Sequence, residues 1–250
     1  MGAIFTCSID DGHPSDMRLA DLLERYGLNG TFYVPIVNRE GSPVMAPAAL
    51  RELAGRFEIG SHTYSHQFLT RVDATRAAQE IFWGKHALED MLGRPVSGFC
   101  YPGGRYRRVH LRMVRAAGFA YARTTVNLCL DAGPGRYEMA TSCQFYPHGR
   151  DVYMRNFASG GRWLHRRRCL AAFLRSSDWR ARLYKCFEIA ETHNRVFHLW
   201  AHTADLDSNN SWSEMENFLS HVSGSVKTSN RLSNRELAER YFIENMKGVL

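Results

Sequence analysis

Short apolar runs and longer amphipathic segments alternate along most of the chain. The apolar runs, which are typical of buried strands, occupy residues 3–9, 30–35, 57–62, 96–102, 119–124 and 194–202. Between them, apolar positions recur three or four residues apart, the spacing that predicts helices. The predicted helices cover residues 15–27, 46–55, 73–93 and 107–118. Asp73 before the longest helix and Gly93 after it are residues that favour helix ends.

The alternation of strand and helix predicts a parallel sheet with helices packed against it. It is lost after Asp131 and returns with the last strand. Two further helices are then predicted, and each begins with a pair spaced as a capping box: Ser211 with Glu214, and Ser233 with Glu236. Roughly six or seven βα units without a glycine-rich nucleotide fingerprint favour a barrel, in which chemistry lies at the carboxyl ends of the strands.

The composition fits a single domain spanning residues 1–250. Of the 250 residues, 44% are hydrophobic and 12% aromatic, which is enough for a sizeable core. No apolar run approaches the roughly 20 residues of a transmembrane helix, and no basic region followed by a long apolar segment marks a signal peptide. The six cysteines are scattered and form no CxxC pair. These features predict a cytoplasmic protein with reduced thiols.

The net charge of +7 is concentrated in one segment. Residues 150–185 include ten Lys or Arg against two Asp, with aromatic residues interleaved. This segment interrupts the βα alternation, so we expect a basic insertion at about residues 145–190. Two interpretations stay open: a solvated helical face, or a patch beside the site mouth, including Arg166, Arg167 and Arg168, for a phosphate-bearing partner. No recognised motif indicates a nucleic-acid partner.

Residues able to carry out chemistry cluster where the predicted strands end. The first strand ends in Asp10 and Asp11, the third is followed by His62 and His66, and the last by His202. Two histidines four residues apart share one face of a helical turn and can hold one divalent ion. One aspartate would complete a facial ligand set, and the other would be free to act as a base. With His202 as an acid, this set predicts metal-assisted hydrolysis of an amide or ester.

Four short motifs give the chain a resemblance to a known family. They are "SIDDG" at 8–12, "SHTYSH" at 61–66, "FCYPGG" at 99–104 and "LWAH" at 199–202. In this order they resemble the polysaccharide deacetylases (carbohydrate esterase family 4) over residues 3 to about 205. The resemblance implies a distorted (β/α) barrel, usually seven-stranded. It also implies one divalent metal ion, most commonly Zn²⁺, with the ligands Asp11, His62 and His66.

The catalytic roles of the family transfer to the matching residues. Asp10 would be the general base that deprotonates the attacking water, and His202 would protonate the leaving amine. The backbone N–H of Gly103 would hold the oxyanion, a role that suits a preorganised backbone donor. The chain departs from the family at Cys100, because the family often has an arginine there that orients the base.

Supporting roles stay open at several positions. Arg105 or Arg123 could replace the missing arginine or contact the substrate, and Asp131 or Asp205 could tune the catalytic histidine. Aromatic residues near the motifs could line the sugar site, namely Tyr64, Tyr101 and Trp200.

The resemblance implies a metal-dependent hydrolase that removes the N-acetyl group from an N-acetylated sugar. Because no export signal is visible, the expected substrate is a precursor on a nucleotide or lipid carrier, in surface-glycan or lipopolysaccharide assembly, a step that rests on analogy. Two alternatives are an amidase of the same fold acting on a non-sugar amide, and a catalytically silent metal- or glycan-binding protein. The missing arginine favours the second alternative.

Overall fold

The computed structural model describes residues 2–176 and 178–243, and its centre is a sheet of seven parallel strands. The strands are β1 (Ile4–Asp10), β2 (Thr31–Val34), β3 (Glu58–Ser61), β4 (Gly98–Cys100), β5 (Tyr121–Arg123), β6 (Cys143–Gln144) and β7 (Val196–Ala201). Their order is β5-β4-β3-β2-β1-β7-β6, with every pairing parallel. The first strand is therefore central in the sheet.

Helices connect the strands and pack around the sheet. They are α1 (Asp16–Arg25), α2 (Pro47–Arg56), α3 (Ala74–Leu92), α4 (Arg108–Ala116), α5 (Arg150–Ser159), α6 (Trp163–Arg175), α7 (Trp179–Thr192), α8 (Thr203–Ser208), α9 (Trp212–Ser225) and α10 (Asn234–Ala238). Short 3-10 turns lie at Leu69–Arg71, Pro102–Gly104 and Thr228–Asn230, and a π-helical turn at Glu239–Ile243. None of the described helices is long and apolar enough to cross a bilayer.

The helix ends follow the predicted signals at two of three places. Helix α3 is capped by the Asp73 carboxylate and ends at Gly93, whose φ of 64° is the left-handed conformation that glycine adopts easily. Ser233 forms its predicted capping box at the start of α10. Ser211 does not cap α9, because its backbone is not extended and its side chain makes no cap bond. The last helix was predicted to cover residues 233–246, and its residues 244–246 lie outside the described residues.

The sheet curls into an incomplete barrel whose open side lies between β5 and β6. The segment 136–142 crosses this gap. At one end the N–H of Met139 donates to the carbonyl oxygen of Ala122 in β5, at 3.0 Å. At the other end the N–H of Ser142 donates to the carbonyl oxygen of His198 in β7, at 2.8 Å. The predicted distorted (β/α) barrel with seven strands is confirmed.

Both faces of β1 are buried, which explains why its apolar residues do not alternate with exposed ones. Phe5 and Ile9 belong to the main hydrophobic core. Thr6 and Ser8 point the other way, as alternation along a strand requires, and Ser8 Oγ lies 2.9 Å from Nε2 of the buried His198. The barrel interior is therefore polar at this level, and the last residue of β1 continues this polar face toward the strand ends.

The basic segment folds as three helices, α5, α6 and α7, and not as a further βα unit. Two of its cations are buried and bind backbone oxygens. Arg166 is fully buried, and Arg182 donates to the carbonyl oxygen of His148 at 2.8 Å. The net charge counted from the sequence therefore overstates the charge that this segment presents to solvent.

The six cysteines are free and buried.

Candidate active site

Asp10 and Asp11 point in different directions because β1 ends between them. Asp10 is the last residue of the strand and is 2% exposed. Asp11 has a φ of 79°, and Gly12 follows with a φ of 63°. A Cβ at Gly12 would lie 2.6 Å from Cγ1 of Val34, so only glycine fits this turn. The turn leaves one carboxylate inside the barrel and directs the other toward the histidines.

His62 and His66 are presented by a turn and not by a helix, so the helical interpretation of the His-x-x-x-His spacing is wrong. The turn follows β3, and Thr63 and His66 have φ values of 67° and 54°, which no helix contains. The fully buried Glu80 of α3 holds the turn in place. Its carboxylate accepts from the N–H and from Oγ of Ser65, both at 2.8 Å.

Three side-chain atoms converge at the mouth of the barrel. Oδ1 of Asp11 lies 3.6 Å from Nε2 of His62 and 3.2 Å from Nε2 of His66. These ligand atoms all lie within 4.8 Å of one another. Among the described residues Oδ1 of Asp11 is buried without a hydrogen-bond partner, a state that costs free energy unless a cation binds there. Two imidazole nitrogens and one carboxylate oxygen are a donor set that fits Zn²⁺.

Neighbouring groups orient these rings. His62 Nδ1 lies 2.9 Å from the carbonyl oxygen of Cys100, an acceptor, so Nδ1 carries the proton and Nε2 keeps its lone pair. Burial lowers the pKa of His62 to about 4, which keeps the ring neutral at neutral pH. His66 Nδ1 faces Glu40 at 3.4 Å. Burial alone would raise the pKa of Asp11, but the three facing histidines hold it well below its usual value.

Asp10 is held by an arginine from β5, which is four strands from β1 in the sheet and reaches it across the barrel interior. Arg123, at the end of β5, is fully buried, and its Nη2 donates to Oδ1 of Asp10. Its guanidinium also lies over the rings of Tyr33 and Trp200, at 5.2 and 5.4 Å. Cys100 Sγ approaches the other carboxylate oxygen at 3.8 Å. Of the two arginines expected to replace the family arginine, Arg123 is thus the one in contact with Asp10.

His202 follows β7 and faces the same point from the opposite side. Its Nε2 lies 3.9 Å from Oδ2 of Asp11, and its Nδ1 lies 3.1 Å from Oδ2 of Asp205. Burial alone would lower the pKa of His202, but Asp205, Asp11 and Asp10 together raise it to about 9. Asp205 is therefore the partner of this histidine. Asp131 is engaged elsewhere, in a bidentate pair with Arg162.

Asp10 and the three candidate metal ligands lie within a stretch that matches a known family. Residues 4–122 match the family profile described as polysaccharide deacetylase. This match covers just under half of the chain and includes three of the four motifs. A bifunctional xylanase/deacetylase of Pseudobutyrivibrio xylanivorans is 25% identical over 100 residues, which are 40% of this chain and only 16% of that protein.

Solved structures show the same fold. A Mycobacterium smegmatis protein described as a polysaccharide deacetylase aligns with a TM-score of 0.64 at 18% identity, covering 99% of this chain and 92% of its own. The Xyl-CE4 domain of a multidomain xylanase from the hindgut metagenome of Trinervitermes trinervoides aligns with a TM-score of 0.58 at 16% identity, covering 96% and 91%. These likenesses establish the deacetylase barrel.

Of the remaining residues predicted to contact the substrate, some lie at the surface and others lie in the core. Tyr64 is partly exposed and packs edge-on against Trp83, with ring centroids 6.3 Å apart. Arg105 is exposed, with its guanidinium 5.5 Å from the Phe68 ring. Tyr101 is fully buried and donates to a backbone oxygen. For Tyr101, and for the equally buried Arg123, a structural role replaces the predicted substrate contact.

A cleft of about 410 Å³ adjoins the site on the open side of the barrel. Gly103 and Trp200 border it, and the Trp200 ring lies 5.3 Å from the His202 ring. The opposite wall comes from α5 and from the segments before it. We call this feature the α5 cleft; its polar lining residues are Thr125, Asn127, Gln144, His148, Asn156 and Ser159.

The prediction that Arg166, Arg167 and Arg168 lie beside the site mouth is wrong. Arg166 is fully buried inside the insertion. Arg167 and Arg168 line a depression with His193 and Arg195, which directly precede β7. The site lies at the carboxyl ends of the strands, so these two arginines are at the opposite end of the barrel.

Two positioning groups were missed by sequence reasoning. Glu80 lies inside a helix with an amphipathic sequence pattern. No sequence signal near it indicates that it binds the turn that carries the two histidines. Glu40 lies in a loop, and its approach to His66 depends on the fold between them. Asp205 was one of two candidates left open, and its spacing of three residues from His202 is the local signal that could have selected it.

Proposed function

We propose that this protein is a metal-dependent hydrolase that removes the acetyl group from an N-acetylated sugar, acting through a single domain. The convergence of the buried, unpartnered Oδ1 of Asp11 with Nε2 of His62 and of His66 carries the proposal. The three residues would hold one divalent ion, and their two nitrogen ligands and one oxygen ligand suit Zn²⁺. When bound, the ion supplies positive charge that polarises the acetamide carbonyl and acidifies the attacking water.

Asp10 is the general base in this proposal. Arg123 engages Oδ1, so Oδ2 is the oxygen that accepts the proton from water. Near Oδ2 the weak donor Cys100 Sγ lies at 3.8 Å. Burial holds the pKa of the Cys100 thiol well above its usual value, so the thiol stays neutral and does not repel the carboxylate. The ion pair with Arg123 fixes the orientation of the base, as the family arginine does from another strand.

His202 supplies the second proton. With a pKa of about 9 it is protonated at neutral pH, and Asp205 holds its Nδ1 so that Nε2–H faces the reaction centre. Water adds to the carbonyl carbon as Asp10 takes its proton. The C–N bond then breaks as His202 protonates the nitrogen, which gives acetate and a free amine. In this proposal the backbone N–H of Gly103 stabilises the oxyanion between these steps.

The substrate is an N-acetylated saccharide. A carrier-linked precursor of surface-glycan assembly is part of this proposal, but the basic patch expected to bind its carrier is not formed at the site. Arg166 is buried, and Arg167 and Arg168 lie at the opposite end of the barrel. An amidase acting on a non-sugar amide remains the alternative of the same chemistry. The silent binding protein loses its main support, because Arg123 takes over the contact with Asp10 that the missing arginine would have made.

Metal content and acetate release test the proposal together. His62→Ala and His66→Ala should remove most bound metal, Asp11→Asn should weaken it, and Asp10→Asn should keep it while slowing acetate release roughly 10²–10⁴-fold. The substrates are N-acetylated mono- and oligosaccharides, a nucleotide-linked N-acetyl sugar and a simple acetamide. Unchanged metal in both histidine variants, or no acetate from any sugar, contradicts the proposal. Release from the simple acetamide alone favours the amidase.

A further inference from the structure

The surface of the basic insertion carries most of the large apolar side chains that face solvent. Of the seven that are exposed in the described part of the chain, four lie on α5 and α6: Met154, Trp163, Leu164 and Leu174. Leu164 is 77% exposed, the highest value of the seven. Single exposed apolar residues are common, but several together mark a surface that contacts a partner.

Three of these side chains share one face of α6 with three arginines. They form two neighbouring rows, because residues four and seven apart lie on the same side of a helix. One row is Trp163, Arg167 and Leu174, and the other is Leu164, Arg168 and Arg175. All six are exposed, whereas the buried side of the helix consists of Arg166, Cys169 and Phe173. We call the six exposed residues the α6 face.

The positive charge on the α6 face is not compensated by the protein. Helix α6 contains no acidic residue. Within the described part of the chain, no side chain forms an ion pair or hydrogen bond with the guanidinium groups of Arg167, Arg168 and Arg175. Asp131 shares a depression with the first two, but it is already paired with Arg162 at 2.8 Å. The face is therefore complementary to an anionic partner.

The mixture of apolar and basic groups selects one kind of anionic partner. A second copy docked by two-fold symmetry would place the same three arginines against each other, which costs free energy. Nucleic acids are held by cations and polar groups on their phosphates, a contact in which the protruding Leu164 has no part. The headgroup layer of a bilayer takes both kinds of group, because phosphates attract arginines while leucine and tryptophan enter the boundary with the acyl chains.

Helix α6 lies along the side of the barrel. In its first half Arg168 lines a depression with Arg195, which directly precedes β7. Beyond its end the carbonyl oxygen of Ser176 accepts at 3.1 Å from Arg150, which begins the helix after β6. The helix therefore runs from the amino ends of the strands toward their carboxyl ends. A flat surface against the α6 face would leave the candidate site open.

We propose that the α6 face binds the headgroup layer of an anionic lipid membrane, with α6 lying in the plane of the interface. Arg167, Arg168 and Arg175 pair with lipid phosphates, and Leu164 and Trp163 enter the boundary with the acyl chains. Attachment is reversible, because one short helix buries little apolar area. This assignment is independent of the proposed function, since neither a metal ion nor an acetylated sugar takes part in it.

Sedimentation with lipid vesicles measures this binding. The full chain is mixed with vesicles of phosphatidylcholine alone, or of phosphatidylcholine and phosphatidylglycerol in equal parts. We expect binding to the anionic vesicles only, and weaker binding in about 1 M salt, where the Debye length falls to about 3 Å. Arg167→Gln combined with Arg168→Gln should weaken partitioning by about fivefold for each charge removed. Leu164→Ser should weaken it by about tenfold.

Exposed residues of other helices provide matched controls. Arg112→Gln combined with Arg115→Gln removes the same number of charges from α4. Phe82→Ser removes an apolar side chain that is 51% exposed on α3. Both should leave partitioning unchanged, and thermal unfolding shows that each variant is folded. Lipids brominated in their acyl chains should quench the fluorescence of the wild-type protein more than that of Trp163→Phe.

Three results overturn the assignment: no binding to anionic vesicles, equal losses in the arginine variants of α4 and α6, or a dimer that Leu164→Ser dissociates. The second would mean that net charge alone drives the binding, and the third that a second copy covers the face. Capture by duplex DNA that Leu164→Ser leaves intact, in place of vesicle binding, would assign the face to a nucleic acid and also overturn the membrane proposal.

Discussion

Removing the guanidinium of Arg123 should cost both stability and activity. The pair it forms with Asp10 is completely buried, with side-chain exposures of 0% and 3%. Arg123→Met keeps an unbranched apolar stem but removes the guanidinium, which leaves the Asp10 carboxylate buried without its partner. Breaking a buried ion pair on one side typically costs about 3–5 kcal/mol. At about 2–4 °C per kcal/mol for a chain of this size, Tm should fall by about 6–20 °C.

A second pair on the same protein provides the control. Arg162 and Asp131 form a bidentate contact at 2.8 Å, but their side chains are 23% and 29% exposed. Water replaces a lost partner there, so Arg162→Met should cost no more than about 1 kcal/mol. By hydrogen-bond geometry alone, the pair of Arg162 and Asp131 would be expected to stabilise the protein more. By burial, the pair of Arg123 and Asp10 is expected to contribute more.

Urea unfolding of metal-free protein measures the two effects, and a double-mutant cycle separates pairing from packing. Asp10→Asn combined with Arg123→Met removes both charges, so the double variant should be more stable than the sum of the single losses predicts. Acetate release should fall in Arg123→Met because the base loses its orientation. A loss of stability in Arg123→Met no larger than in Arg162→Met, or strict additivity in the cycle, would refute this reasoning.

Two further predictions concern the acid and the histidine turn. Asp205→Asn removes a contact that raises the pKa of His202 to about 9, so the alkaline limb of the rate profile should move to lower pH, read from acetate release against pH. Because the folded protein raises the pKa of His202, protonation of this residue stabilises the fold. Its contribution to the free energy of unfolding is fully present below about pH 6.5 and is lost as pH rises through about 9. Gly84→Ala should destabilise the fold and weaken metal binding despite its better helix propensity, because the new Cβ would lie 2.6 Å from the backbone of Thr63. Gly55→Ala, whose Cβ meets nothing within 4 Å, should instead be neutral or stabilising by about 0.4–1 kcal/mol in thermal unfolding.

The regular half of the fold was predictable because its signals are local. Asp73 and Gly93 mark α3 at both ends, and the strands that precede the site residues appear as apolar runs. Strand β6 was missed because it is two residues long, with no pattern of its own, and pairs with β7 through the tertiary fold. The three helices of the insertion were missed as elements because their apolar positions are diluted by charge.

The sequence was sufficient to predict which residue types make up the candidate site, but not how those residues are arranged in space. The spacing of His62 and His66 suggested a helix, whereas the close packing of α3 imposes a turn with positive φ values. The choice of Arg123 over Arg105 depends on which side chains the curled sheet brings together across its interior, where Arg123 of β5 reaches Asp10 of β1. Local sequence does not encode that neighbourhood. The misplacement of Arg166 has the same origin, because a charged residue in a basic run gives no sign that it will be buried.

The pairing of β1 with β7 has a consequence for the order in which the molecule can assemble. Residues 4–9 pair with residues 196–201 in continuous register, so the central strand finds one of its two neighbours only near the end of the chain. Until β7 has been synthesised, β1 presents an unpaired apolar edge, which favours association with other chains. The proposed ligand residues all lie within the first 66 positions, yet the proposed acid His202 arrives with this last strand. A nascent chain would therefore gain its metal ligands long before it could become an active enzyme, and a truncation before residue 196 should aggregate.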